Sequence, residues 1–532
     1  MRNIKIITLA LLIAMPAVTI FAQSARSGQS DYEAFRQKAD SQYKAFVKQS
    51  NQQYADFRAR ANRQYAEFLR SMWKEYPAKR PLPIPDEKPI PIIDFDFNRL
   101  RDTLTEVRFD TLVRDDREEI EFSDRDYDKY RPRLDTLSRV LPVVDVVPMP
   151  EPMPQPKPLE PIVQNSKVNS EPTLPITLYG TTIFLHFPKK KLKLDNLSPN
   201  SIADLWKRMS SSEFDNLLFD CLNARDNLKL CDWAYLNLLI TATQTFYGNS
   251  NVATALAAYL YVQSGYKMRF GIVDGSRLIM LIASRYILYN HTYYELADGN
   301  FFALEHLEGS IKICDAPFEN EQLLSLVIDK EQDIDLDMSA SRTLTSRQGI
   351  TVDVAINRNL MEFYDSYPSG QYGDNMGSRW ALYANTPLDN MVKQNLYPAL
   401  RKVLADKNEL EAVNLLLNFV QTAFVYGYDN QIWGEDRAFF AEETLFYPYS
   451  DCEDRSILFS RLVRDLLGLK VILVYYPNHL ATAVKFNSNV QGDCVMVDGQ
   501  KFIIADPTYV GAPVGSTMQG KDNQTAVVIK LD

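Results

Sequence analysis

A Tyr-x-x-Phe unit repeats along the first polar stretch of the chain. Tyr32/Phe35, Tyr43/Phe46, Tyr54/Phe57 and Tyr65/Phe68 recur every 11 residues. Eleven residues nearly complete three helical turns, so each pair returns to one face. The pattern predicts one long helix over 30–74. Its aromatic seam is available for a second copy (self-association), for a protein partner or for the chain's own domains. Over 76–172 the periodicity vanishes. The proline-dense runs Lys79–Pro85 and Pro148–Pro154 favour extended polyproline II and flank a charged segment, so this region reads as a linker without its own core. From Leu174 the pattern turns apolar again. It predicts strands over 176–180 and 182–187, helices through 201–246, a strand over 350–356 and a helix from Asn359. Further on come helices from Ala399 to Val425 and an amphipathic helix over Cys452–Leu467. Strands follow over 470–475, 480–486, 494–497 and 501–505, with Asp498-Gly499 as a hairpin turn. The expected class is α+β, with a helix packed on an antiparallel sheet within 342–532.

The segment 173–330 carries a weaker version of the same order. Asn237-Leu238-Leu239-Ile240 with Gln244-Thr245 matches Asn414-Leu415-Leu416-Leu417 with Gln421-Thr422 at equal spacing. Ser264-Gly265-Tyr266-Lys267 parallels Leu467-Gly468-Leu469-Lys470, and Asp298-Gly299 parallels Asp498-Gly499. The expectation is a duplicated fold.

Composition and the N-terminus narrow the class. Arg2 and Lys5 precede the apolar run Ile6–Ile20, and Ala22 is a small residue suited to cleavage. Residues 1–22 read as a signal peptide, which implies a periplasmic or extracellular mature protein. No later apolar run is long enough to span a membrane. A formal charge of −10 without a basic stripe argues against nucleic-acid binding. With 46% hydrophobic residues the chain can fill two globular cores.

Candidate chemistry sits near the C-terminus. Cys452 opens a helix in Tyr449-Ser450-Asp451-Cys452-Glu453-Asp454-Arg455-Ser456, where orphan N–H groups stabilise negative charge. His479 follows Pro477-Asn478 and is the only histidine after His306; Asp506 ends a later strand before Pro507. A thiol, an imidazole to take its proton and a carboxylate to orient that imidazole are the parts of an acyl-transfer site. The flanking Asp451, Glu453 and Asp454 raise the thiol pKa, so activation falls to His479 and the backbone. Cys221, Cys231, Cys314 and Cys494 form no CxxC pair or zinc-type cluster, and no metal or cofactor is expected. A Cys221–Cys231 bridge is left open.

The order Cys452, His479, Asp506 within these motifs resembles the transglutaminase-like cysteine enzymes, over roughly residues 400–515. The resemblance implies a papain-like α+β fold, a thioester intermediate on a peptide or protein amide, and either hydrolysis or transfer to an amine. It also suggests an oxyanion donor, for which Trp433 and Gln421 are candidates. Ser450 and Ala481 stand where the family often has Gly and an aromatic residue, so its substrate preferences are not carried over. Counting from the matched motifs sets Asn249, Ser276 and His306 opposite Cys452, His479 and Asp506. A set without a thiol cannot form a thiolate–imidazole pair, so 173–330 is expected to be a degenerate copy. The Asp429–Tyr449 loop lacks a counterpart there and suits a substrate wall, a lid or an anchor to the core. The alternative is a non-catalytic binding or scaffold protein of the cell envelope.

Overall fold

The computed structural model describes residues 27–85, 93–94, 138–150, 153–160, 162, 173–518, 520–521 and 525–532. The leader at 1–22 and most of the charged segment of the linker lie outside the described residues. The chain divides into two units, 1–57 and 58–532. The described part of the first unit is helical. Helix α1 runs from Ser27 to Ser71 and covers the aromatic repeat. In the first unit Tyr43 and Phe46 are exposed, at 69% and 67%. In the second, Tyr65 is buried, with its ring 4.6 Å from Trp206 and 5.4 Å from Phe318.

The second unit is α+β and contains two six-stranded sheets. The segment Trp73–Pro77, where the expected helix end gives way to the proline-rich region, forms β1, and the proline-rich region supplies β2 (Val143–Val147). The first half supplies β3 (Met268–Val273), β4 (Arg277–Ala283), β5 (Tyr293–Leu296), β6 (Gly299–Ala303) and β7 (Ser310–Cys314). The second half supplies β8 (Lys470–Tyr476), β9 (His479–Lys485), β10 (Cys494–Val497), β11 (Gln500–Ala505) and β12 (Ala526–Lys530). The strand orders are β1-β7-β3-β4-β6-β5 and β2-β12-β8-β9-β11-β10, which agree position for position. Neighbours are antiparallel except β2 and β12, which are parallel. Each half also places two helices before its sheet: α2 (Asp232–Tyr247) and α3 (Asn251–Gln263), then α4 (Glu409–Thr422) and α5 (Cys452–Leu467). Helix α3 packs on β3 and β4 as α5 packs on β8 and β9.

Turn chemistry fixes these hairpins. Asp498 and Gly499 take φ of +50° and +72°, the primed turn that Asp-Gly favours. The two-residue turn Pro477-Asn478 brings Tyr476 opposite His479, with Asn478 at φ +59°, a left-handed conformation that asparagine tolerates.

Two expectations change here. Composition allows two cores, but one apolar cluster runs through both halves, from Ala61 to Ile529, and the two helix layers share it. The opposite face of each sheet closes over its own smaller cluster, one around Val474, Ala483 and Ile504, the other around Leu281, Phe301 and Ile313. The proline-rich region is also more than a spacer: Val143–Val147 closes one edge of the second sheet, and Trp73–Pro77, which leads into the region, closes one edge of the first. Prolines lack an N–H and are tolerated on such edges, while the adjoining Val143-Val144 and Val146-Val147 pairs supply ladder residues. An isolated extended segment has no partner in the linear pattern, so a linker was the natural reading. All five cysteines are free thiols. Among the described residues no helix is long and apolar enough to cross a membrane.

Candidate active site

Helix α5 was read as amphipathic, yet every residue from Asp451 to Ser460 is buried, the polar ones included. Burying polar groups costs free energy unless each finds a partner, and here most do. The Arg455 guanidinium, fully buried, donates to Ser450 Oγ (3.2 Å) and to the carbonyls of Gln421 (3.2 Å) and Phe424 (3.0 Å). It thereby ties the end of α4 to the start of α5. Asp454 accepts from the Asp451 N–H (3.2 Å) and from the Phe439 N–H (2.9 Å). Ser456 Oγ donates to the Leu480 carbonyl at 2.9 Å, which clamps the helix start to the first turn of β9.

That clamp holds the helix that Cys452 opens against the strand that His479 opens. The backbone N–H of Leu480, the residue after the histidine, works to lower the Cys452 thiol pKa. His479 Nε2 lies 2.7 Å from Asp506 Oδ2. His479 Nδ1 has no hydrogen-bond partner among the described residues. Asp506 Oδ1 accepts from Thr508, both from its N–H (3.0 Å) and from its Oγ1 (2.9 Å). With a carboxylate as its acceptor, Nε2 donates its N–H to Asp506, and Nδ1 is the ring nitrogen outside that bond. Burial works to raise the Asp506 pKa, but the His479 charge and these hydrogen bonds outweigh it and leave it lowered.

The sulfur is held in a resting arrangement. Its own hydrogen bond goes to Glu453 Oε2 at 3.1 Å, not to the imidazole. Cys452, His479 and Asp506 are 4%, 1% and 3% exposed. Burial pushes the thiol pKa well above its ordinary value, and the Glu453 and Asp451 charges push it further, against the opposing Leu480 N–H. Removing one of those charges should lower it. In Glu453→Gln, the pH profile of Cys452 alkylation should move to lower pH, with alkylation several-fold faster at neutrality; an unmoved profile measured with iodoacetamide would show that the carboxylate does not control the thiol.

Around the thiol lies a ring of buried acids that the linear pattern concealed. Carboxyl oxygens of Asp429, Asp451 and Asp454 lie within 4.8 Å of one another, as do those of Asp429, Asp436 and Glu453. Burial and mutual repulsion raise Asp429, Asp451 and Asp454 well above the usual carboxylate range. Such spacing lets them share protons or a divalent cation. Arg379 offsets part of the charge through Asp436, at 2.9 Å.

Of the two oxyanion candidates, Gln421 is engaged elsewhere. The Gln421 side chain donates to the carbonyls of Asp506 (3.0 Å), Tyr509 (2.8 Å) and Ala512 (3.1 Å), and its oxygen accepts from the Gly511 N–H (3.1 Å). It positions the loop after Asp506 instead of facing the thiol. Gln421→Leu should cost about 2–4 kcal/mol through unpaired buried backbone groups, read as a fall in thermal midpoint. Trp433 packs against Phe439 (5.7 Å) and Tyr447 (4.9 Å), with the Arg437 guanidinium 4.6 Å above its ring. Phe439 and Phe440 are buried, so the loop at 429–449 is anchored to the core.

The first half shows what the same frame does without a thiol. Asn251, the first residue of α3 as Cys452 is of α5, accepts from the Leu278 N–H (2.9 Å) through its side-chain oxygen. Its amide nitrogen donates to the Ser276 carbonyl at 2.9 Å. The structural counterpart of Cys452 is therefore Asn251 and not Asn249, because α3 begins two residues later than a count from Gly265 implies. Arg277 opens β4 as His479 opens β9, and it pairs with Glu305, near the end of β6, on an exposed surface. Comparisons with protein-family models, with curated proteins and with solved structures give no match to this chain.

Proposed function

We propose that this protein is an exported, transglutaminase-like cysteine enzyme that acts on peptide or protein amides. Cys452 is the nucleophile, His479 the general base and then acid, and Asp506 the residue that orients the imidazole. Sγ leaves Glu453 and turns to His479 Nδ1, which takes its proton. The thiolate attacks the amide carbon, and the Cys452 N–H at the start of α5 faces the developing oxyanion. The imidazolium returns the proton to the departing nitrogen, leaving a thioester. Water then releases the acid, or an amine takes the acyl group, with Nδ1 removing the proton from either. The observation that supports this best is the His479–Asp506 hydrogen bond, made by one ring nitrogen while the other stays buried and bare next to the thiol-bearing helix. The half at 173–330, with its matching strand order and Asn251 in place of the thiol, is read as a non-catalytic copy.

Burial of the sulfur favours the second reading, a non-catalytic binding or scaffold protein of the cell envelope. Incubating the protein with a peptide library, with and without a primary amine, separates the two. Mass spectrometry should detect cleaved or amine-tagged amides that depend on Cys452. Absence of both kinds of product would remove the enzymatic reading.

A further inference from the structure

One short pairing next to the site has no role in the chemistry above. Residues Ile93–Asp94, from the proline-rich region, lie as a parallel strand beside Tyr509–Val510, with Ile93 opposite Tyr509 and Asp94 opposite Val510. Tyr509 is three residues beyond Asp506. The loop that carries it is held stiffly: the Tyr509 N–H donates to the Asp506 carbonyl, Thr508 holds the Asp506 carboxylate, and Gln421 gathers three of the loop's carbonyls. A rigid strand edge, fixed to the residue that orients the imidazole, is a surface on which a second extended chain gains main-chain hydrogen bonds in a set direction.

We propose that the Tyr509–Val510 edge is the subsite where an extended polypeptide substrate lies, and that Ile93–Asp94 holds this place in the resting protein. The inference rests on the enzymatic reading of Cys452. Three observations carry it. The edge is already filled by a strand, so its capacity to pair is displayed. The occupying segment is tethered on both sides. Upstream, the Lys79 N–H donates to the Tyr293 carbonyl and the Leu82 carbonyl accepts from the Asn290 N–H, both at 2.8 Å. Downstream, Arg139 pairs with Asp493 at 2.6 Å, and Leu141 and Arg139 exchange backbone bonds with Cys494. Such tethering gives the segment a high effective concentration at the edge, which a free peptide must overcome. Finally, all three chemical residues are buried in the chain that carries this strand. The parallel register also fixes the direction of a substrate: it runs the same way as Tyr509 to Val510.

The test uses the full-length chain with two double variants, Ile93→Pro/Asp94→Pro and Ile93→Gly/Asp94→Gly, the second keeping every backbone N–H. Amide hydrogen exchange over 507–512 should quicken in both, alkylation of Cys452 by iodoacetamide should rise at least tenfold, and KM for peptide amides should fall more than kcat changes. A synthetic peptide of residues 88–98 should slow alkylation of the glycine variant again. Unchanged exchange, or faster exchange with unchanged alkylation and KM, overturns the proposal. Faster alkylation with no amide turned over by any form, the parent chain included, overturns the enzymatic reading while the strand remains a plug over the thiol.

Discussion

Replacing Cys452 by alanine should abolish amide turnover, by at least ~10⁴-fold in kcat, and remove all acyl labelling of the chain. The size of the effect follows from the division of labour. No other thiol shares the site: Cys221 and Cys314 are buried among residues of the first half, Cys231 caps α2 there, and Cys494 lies on β10. Asp451 and Glu453 flank the sulfur, but a carboxylate is a far weaker acyl nucleophile than a thiolate. The substitution leaves Arg455, Asp454 and Ser456 in their bonds, so α5 should keep its place. Circular dichroism and a thermal melt of the variant should match the parent while activity is lost. Retention of more than a hundredth of the parental rate would show that Cys452 does not form the acyl intermediate.

Asp506→Asn should produce the next largest loss, ~10³–10⁴-fold in kcat, with the fold retained but less stable near neutral pH. The asparagine still fits between His479 and Thr508. It can, however, donate to Nε2, which shifts the ring proton to Nδ1, the nitrogen that must receive the thiol proton. The pH dependence of stability carries a separate mark of the same residue. Its folded pKa is lowered, so its contribution is present above the unfolded value and is lost as pH falls through the folded one. The asparagine variant should lack that acid-side loss. Wild-type activity in Asp506→Asn, or an unaltered acid limb of the stability profile, would deny the carboxylate both roles.

Much of the second half was legible because its signals are local. Gly468, at φ +65°, ends α5 where a helix stop was expected, and the Asp498-Gly499 hairpin and strands β8–β11 fall where alternation and turn residues set them. His479 and Asp506 could be paired because histidine is scarce. What escaped the linear pattern depends on contacts between distant segments. The wholly buried polar start of α5 breaks the amphipathic rule, since Arg455 and Asp454 are satisfied by carbonyls and amides from α4 and the 429–449 loop. Gln421 matched a repeat motif, but its four bonds to the 506–512 loop are visible only in three dimensions. The placing of β1 and β2 on separate sheets belongs to the same kind.

The strand β2 has a consequence for biogenesis. It pairs with β12, and nearly three quarters of the chain's length separates these two segments. During synthesis Val143–Val147 emerges well before Ala526–Lys530 and waits, unpaired, until that strand has left the ribosome. The second sheet is thus completed only by full-length chains. Contact order this high makes folding slow, and a chain that stops before Ala526 should remain a substrate for chaperones and proteases.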